Sequence, residues 1–220
     1  MRKLWITAGL FLGWGAYVLA GQQTEVSGSN CCGVLPASWE VPEAYCSLFA
    51  AAAELVPDLQ QERIRVRERS LSTTMAARPV LGSLLFRSRD QRTYLIEINV
   101  NKDFEGVLLH EVPEAAQLGL VLHELMHIKD YRERNVWGVA ERGWQYLSQR
   151  GKMRFEWEID RMLLKAGLET YLLLWAQFVM EESEASEAYK EFKREVYMTP
   201  VEIFIDLEED GVLQDHRLVI

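Results

Sequence analysis

The chain has 220 residues, of which 49% are hydrophobic and 26% charged. It is long enough for one packed domain and too apolar to be disordered by composition. Its formal net charge of -9 excludes a broad phosphate-binding surface, which needs clustered Lys and Arg, so no nucleic-acid partner is expected.

The first residues read as a targeting segment. Arg2 and Lys3 precede an almost wholly apolar run from Leu4 to Ala20, which ends in Val18-Leu19-Ala20. Residues 1–20 are therefore expected to be a cleaved signal peptide or an N-terminal membrane anchor. Either role implies export to a periplasmic or extracellular compartment, the second with membrane association through residues 4–20. Residues 21–40 are rich in Gly, Ser, Gln and Asn and read as a linker. Residues 41–220 then form a single domain. Cys31, Cys32 and Cys46 lie just after the export segment. An oxidising compartment would permit one bridge, from Cys46 to Cys31 or Cys32; the alternative is three reduced thiols.

Pro42 to Leu55 has a proline start and an Ala-rich apolar run, a helical pattern. Ile64 and Val66 alternate with Arg63, Arg65 and Arg67, as in a half-buried strand. Further strand-like runs span Leu84 to Arg89 and Arg92 to Val100, with Asp90-Gln91 as a hairpin turn between them. In the second run Tyr94, Ile96 and Ile98 share one face. These runs predict a small antiparallel sheet of about three strands. Beyond Val100 the period becomes helical. Leu118, Val121, Leu122, Leu125 and Ile128 form an apolar stripe after Pro113. A second helix covers Val136 to Leu147. A third begins near Gly151 and runs past Met180, with a break near Gly167. Residues 181–196 are heavily charged, the mark of a solvated helix face. Thr199-Pro200-Val201-Glu202 resembles a capping box, although the residues after it alternate like a strand. The fold class expected is α+β: a small sheet against a mainly helical core.

Within the first long helix lies His123-Glu124-Leu125-Met126-His127, an H-E-x-x-H pattern. Residues four apart share a helical face, so both imidazoles can point at one ion. Neutral imidazole nitrogens bind zinc at about 2.0–2.1 Å. Glu124 adjoins the first His and can take the proton of the attacking water. The chain has only four His, and with this composition the pattern arises by chance in roughly one chain in a hundred. Its flanks are Leu, Val, Met and Ile, so the helix is buried. Burying two His and a Glu without partners would cost about 1–3 kcal/mol for each unsatisfied group.

A catalytic zinc needs a third protein ligand and an open position. The pattern H-E-x-x-H-x-x-G-x-x-H is absent, since Asp130 and Glu133 occupy its last two defined positions. Glu156 and Asp160 lie four apart on the next long helix. Glu156 is the candidate third ligand, and Asp160 can accept a hydrogen bond from a ligand imidazole and fix its tautomer. Glu158 competes for the ligand role but projects about 200° away on a regular helix.

The H-E-x-x-H helix followed by Glu156-Trp157-Glu158-Ile159-Asp160-Arg161 resembles the gluzincins, the thermolysin-like superfamily of zinc peptidases, and their compact members in particular. The resemblance spans about residues 60–165. It implies Zn2+ as cofactor, Glu156 as the completing ligand, and a peptide or protein substrate. The strand Arg92–Val100 is similar in placement to the family's substrate-binding edge strand, so a peptide would add near Tyr94 to Ile98. Tyr131 and His216 are candidates for stabilising the oxyanion. The expected activity is zinc-dependent metallopeptidase, a hydrolase acting through activated water. The alternative is an exported zinc-binding scaffold or interaction protein without hydrolytic activity.

Overall fold

The structure is a computed structural model and describes residues 34–209. The expected export segment, Cys31, Cys32 and His216 lie outside the described residues. In chain order it runs β1 (Trp39–Glu40), α1 (Cys46–Leu55), β2 (Arg63–Arg69), β3 (Met75–Pro79), α2 (Leu81–Phe86) and β4 (Thr93–Asn99). Six helices follow: α3 (Glu114–Glu133), α4 (Val136–Gln145), α5 (Gln149–Lys165), α6 (Glu169–Gln177), α7 (Glu187–Val196) and α8 (Pro200–Glu209). The class is α+β, mainly helical with one small sheet.

That sheet differs from the expected antiparallel meander. It has four strands in the order β1-β2-β4-β3. β2 runs parallel to β1 and β4, and only β3 is antiparallel to its neighbour. The run from Leu84 to Arg89 is not a strand. Its first residues complete α2, where Leu84 is buried while Leu85 and Phe86 face solvent. The fourth strand, Met75-Ala76-Ala77-Arg78-Pro79, carries no β-branched alternation to betray it. Proline is tolerated there because β3 is an edge strand.

β4 is an interior strand, so the expected edge at Tyr94 to Ile98 is already paired on both sides. Its second face is covered as well. Glu97 is buried and accepts hydrogen bonds from Arg67, Arg69 and Arg78. Burial opposes its charge, but these guanidinium groups outweigh that and hold its carboxyl down at about 2. Alternation on β2 is as expected: Ile64 and Val66 enter the core and the arginines face outward.

Helix α3 is the centre of the packing and touches α1, α5, α6 and β3. It is buried on every side from Gly119 to Ile128, wider than the stripe the sequence predicts. Its C-terminus is tied down twice. The Arg92 guanidinium donates to the carbonyls of Tyr131 and Arg134 at the end of the helix. Asp130 accepts from Arg134 and Arg142, linking α3 to α4. The break near Gly167 is a helix stop: Gly167 takes a φ of 71°, and Leu168 donates back to the Leu163 carbonyl at 3.0 Å. The undecided element after Thr199 is helix α8. The backbone N–H of Thr199 donates to the Glu202 carboxylate, and the N–H of Glu202 donates to the Thr199 hydroxyl.

Cys46, at the start of α1, is disulfide-bonded, so three reduced thiols do not describe this chain. Among the described residues no helix is long and apolar enough to cross a membrane.

Gly119 lies where α3 approaches α6 closely. A Cβ there would lie 2.0 Å from the Tyr171 carbonyl oxygen, whereas one at Gly143 on α4 would meet nothing within 4 Å. Gly119→Ala should therefore cost about 1–3 kcal/mol of unfolding free energy. Gly143→Ala should be neutral or stabilise by up to about 1 kcal/mol. Urea titration of both variants checks the ranking, and equal stability would show that α3 and α6 are not so tightly opposed.

Candidate metal centre

His123 and His127 stand one turn apart on α3 and face Glu156 on α5. The His123 Nε2 and His127 Nε2 atoms are 3.2 Å apart. The Glu156 Oε2 atom lies 3.2 Å from each of them. Three ligand atoms thus form a nearly equilateral triangle. Ligands at about 2.0–2.1 Å around a tetrahedral ion are separated by about 3.3–3.4 Å, so the triangle is close to one face of such a shell. The donor set points the same way. An imidazole that donates from Nδ1 presents a lone pair at Nε2, and here that lone pair would face a carboxylate. A proton or a cation between them removes the repulsion. These three buried residues could hold a metal ion.

The groups around them are fixed in turn. Asp160, one turn beyond Glu156 on α5, lies 2.8 Å from His123 Nδ1 through Oδ1. Its Oδ2 accepts the backbone N–H of Met198. This arrangement fixes the His123 tautomer and leaves Nε2 for a metal. His127 is held differently, by an edge-on contact with Phe155 and a stacked contact with Tyr131. Its Nδ1 is buried without a hydrogen-bond partner among the described residues. The Tyr146 hydroxyl donates to the second oxygen of Glu156.

The site is deeply buried. His123, Glu124 and His127 are each 5% exposed or less, and Glu156 and Asp160 are 1% exposed. Burial opposes a charged His123, yet its hydrogen bonds to the Asp160 and Glu156 carboxylates outweigh it and push its pKa up to about 10. Burial likewise opposes a charged Glu156, but the two imidazoles hold its carboxyl well below the usual range. Glu124 moves the other way, because burial pushes its carboxyl up and the histidines only partly offset that.

The structure brings together four residues singled out in sequence, His123, His127, Glu156 and Asp160; Glu124, next to His123 on α3, is buried within electrostatic reach of both histidines and Glu156. Glu158 turns away from them and pairs with Arg142 at 2.6 Å, whereas Glu156 faces both histidines. Tyr131 packs its ring on His127 and Phe155. Three further residues escaped the sequence reading. They are Tyr146, Tyr197, whose ring centroid is 5.7 Å from that of His123, and Lys193, which lines a cavity shared with His123. None stands at a diagnostic spacing from the H-E-x-x-H pattern. Comparison with family models, with curated proteins and with solved structures found no match.

The titration of His123 has a sign that can be checked without metal. Its raised pKa contributes stability that is complete below the unfolded value of 6.5 and is lost as pH climbs through about 10. Glu156 acts at the other end, with stability present above 4.5 and lost as pH falls through its depressed folded value. Chelator-treated protein should therefore unfold at lower urea at pH 10 than at pH 6.5. Asp160→Asn should flatten that slope. An equal slope in parent and variant would contradict the pairing.

Proposed function

We propose that this chain is a zinc-dependent peptidase of the gluzincin kind. The observation that supports it most is the triangle of His123 Nε2, His127 Nε2 and Glu156 Oε2, with Glu124 next to the first ligand on the same helix. Two His and one Glu with an open fourth position is a donor set of catalytic zinc. Zinc bound there would act as a Lewis acid and lower the pKa of its water towards about 7.

The protein supplies the rest. Asp160 orients His123, and Tyr146 restrains the Glu156 carboxylate. Glu124 is the general base: it takes the proton of the attacking water and passes it to the leaving amine. A carboxylate whose affinity for protons is raised by burial suits that task. Tyr197, whose ring lies beside that of His123, joins Tyr131 as a candidate for stabilising the oxyanion. An extended peptide would add to β3, the sheet edge that packs on α3, through main-chain hydrogen bonds. Export belongs to the same proposal, and the disulfide at Cys46 supports an oxidising compartment.

One observation favours the second reading, a zinc-binding scaffold without hydrolysis. Every site carboxylate and imidazole is buried, and both Glu156 oxygens are engaged. Metal content and turnover separate the two readings.

Glu156→Gln should weaken zinc binding, while Glu158→Gln should leave it nearly unchanged. Glu124→Gln should fold, retain zinc in equimolar amount and lose about 10²–10⁴-fold in peptide hydrolysis. Elemental analysis and cleavage of a randomised peptide pool measure both properties. Zinc in the parent with no cleavage of any peptide would favour the scaffold. Full activity in Glu124→Gln would refute the assigned base.

A further inference from the structure

We infer that the outward face of the sheet, together with the exposed side of α2, docks the folded domain on a bilayer surface that carries anionic lipid. The inference is independent of the peptidase reading. It adds a contact made by the folded domain to the membrane association expected of residues 4–20.

Strand register gathers the charge. Arg63, Arg65, Arg67 and Arg69 alternate with the core residues of β2 and so share its outward face, where all four are exposed. Arg65 stands in register with Leu95 of β4, and Leu95 with Arg78 of β3, which places Arg78 on the same face. Two carboxylates answer these five guanidinium groups. Glu97 is shared among Arg67, Arg69 and Arg78, and Glu40 pairs with Arg65 at 2.9 Å. Glu68 has the opposite parity on β2 and accepts from the Tyr45 hydroxyl. Arg63 has no carboxylate at ion-pair distance among the described residues. The whole chain carries a formal charge of -9, so this face is a local reversal of sign.

Charge alone would suit any polyanion, and α2 narrows the choice. The helix continues from β3 and closes onto β4: the Val80 N–H donates to the Thr93 carbonyl, and the Thr93 N–H donates to the Ser83 hydroxyl. Thr93 is the register partner of Arg63, so α2 borders the basic face. Ser83 and Leu84 are its buried residues. Leu81, Leu85 and Phe86 are exposed, Phe86 at 87%. Arg87 and Arg89 follow, both exposed and without a carboxylate at ion-pair distance among the described residues. Apolar side chains that enter the boundary between headgroups and acyl chains, flanked by arginines that meet the lipid phosphates, are the chemistry of a peripheral membrane contact. A soluble polyanion would leave Leu81, Leu85 and Phe86 in water. Chain length permits the contact as well. Residues 21–33 can span at most about 45 Å between the apolar run and Val34. The chain then enters β1, an edge strand of the same sheet.

The test mixes the full chain with vesicles of phosphatidylcholine alone, or of phosphatidylcholine and phosphatidylglycerol in equal parts. Hydrogen exchange of the vesicle-bound protein reads the face itself, whether or not residues 4–20 also insert. Amides of residues 81–92 should be protected on the anionic vesicles and not on the neutral ones, and added salt should remove the protection. The lipid concentration at half-protection should rise about ten- to a hundred-fold when Arg63→Gln, Arg87→Gln and Arg89→Gln are combined. It should rise about ten-fold in Phe86→Ser. Lysine at the same three arginine positions should stay close to the parent. Circular dichroism identifies a variant that fails to fold, in which case the parent on the two vesicle types decides. No protection on anionic vesicles, equal protection on both types, or a midpoint unmoved by the three glutamines would overturn the inference. So would a midpoint unmoved in Phe86→Ser, or equal protection by polyglutamate or a DNA duplex, since either outcome would make the face a site for a soluble polyanion.

Discussion

The crossing of α3 and α5 governs the site, because every candidate ligand atom comes from one helix or the other. α3 contributes His123 and His127, and α5 contributes Glu156 and, one turn on, Asp160. Rotation of α5 by half a turn would replace Glu156 with Glu158 and empty the triangle. Arg142 opposes that rotation. Its guanidinium is buried, pairs with Asp130 of α3 at 2.7 Å and with Glu158 of α5 at 2.6 Å, and lies 4.3 Å from the centroid of the Phe155 ring. An ion pair across the helices therefore turns Glu158 outward and Glu156 inward. Arg161 with Asp206 fastens the same helix to α8.

Placing imidazoles and carboxylates in a buried helix crossing is unfavourable unless each is satisfied. Asp160 illustrates the arrangement that offsets the cost: one oxygen meets His123 and the other accepts a backbone N–H from the loop between α7 and α8. That loop also brings Tyr197 beside His123 of the candidate metal centre. The supports of the site are thus drawn from α4, α5 and the chain after α7, while the sheet holds α3 through β3 and through the Arg92 cap. Surface charge has little part in this, since the interactions that position the ligands are enclosed.

Much of the site was legible in the sequence because helix geometry is local. His123 and His127, and again Glu156 and Asp160, announce a shared face by a spacing of four, and the separation of Glu156 from Glu158 by two places them on opposite sides. The long helices were legible for the same reason, through apolar residues recurring at helical period. Strand order was not, because pairing depends on partners far along the chain, as with Trp39 and Ile64 or Arg63 and Thr93. β3 has neither alternation nor β-branched residues, and the Leu84-Leu85-Phe86 run has the composition of a strand but closes a short helix. Tyr146, Lys193 and Tyr197 reach the site only through packing of α4, α5 and α7, which leaves no periodic trace.

X-ray absorption at the zinc edge of the purified, zinc-titrated protein addresses the central claim most directly. The account predicts one equivalent of zinc in a four-coordinate shell of nitrogen and oxygen at about 2.0–2.1 Å, with two imidazole scattering patterns that disappear when His123 and His127 are replaced. A shell containing sulfur at about 2.3 Å, a single imidazole, or no tightly bound zinc would contradict it.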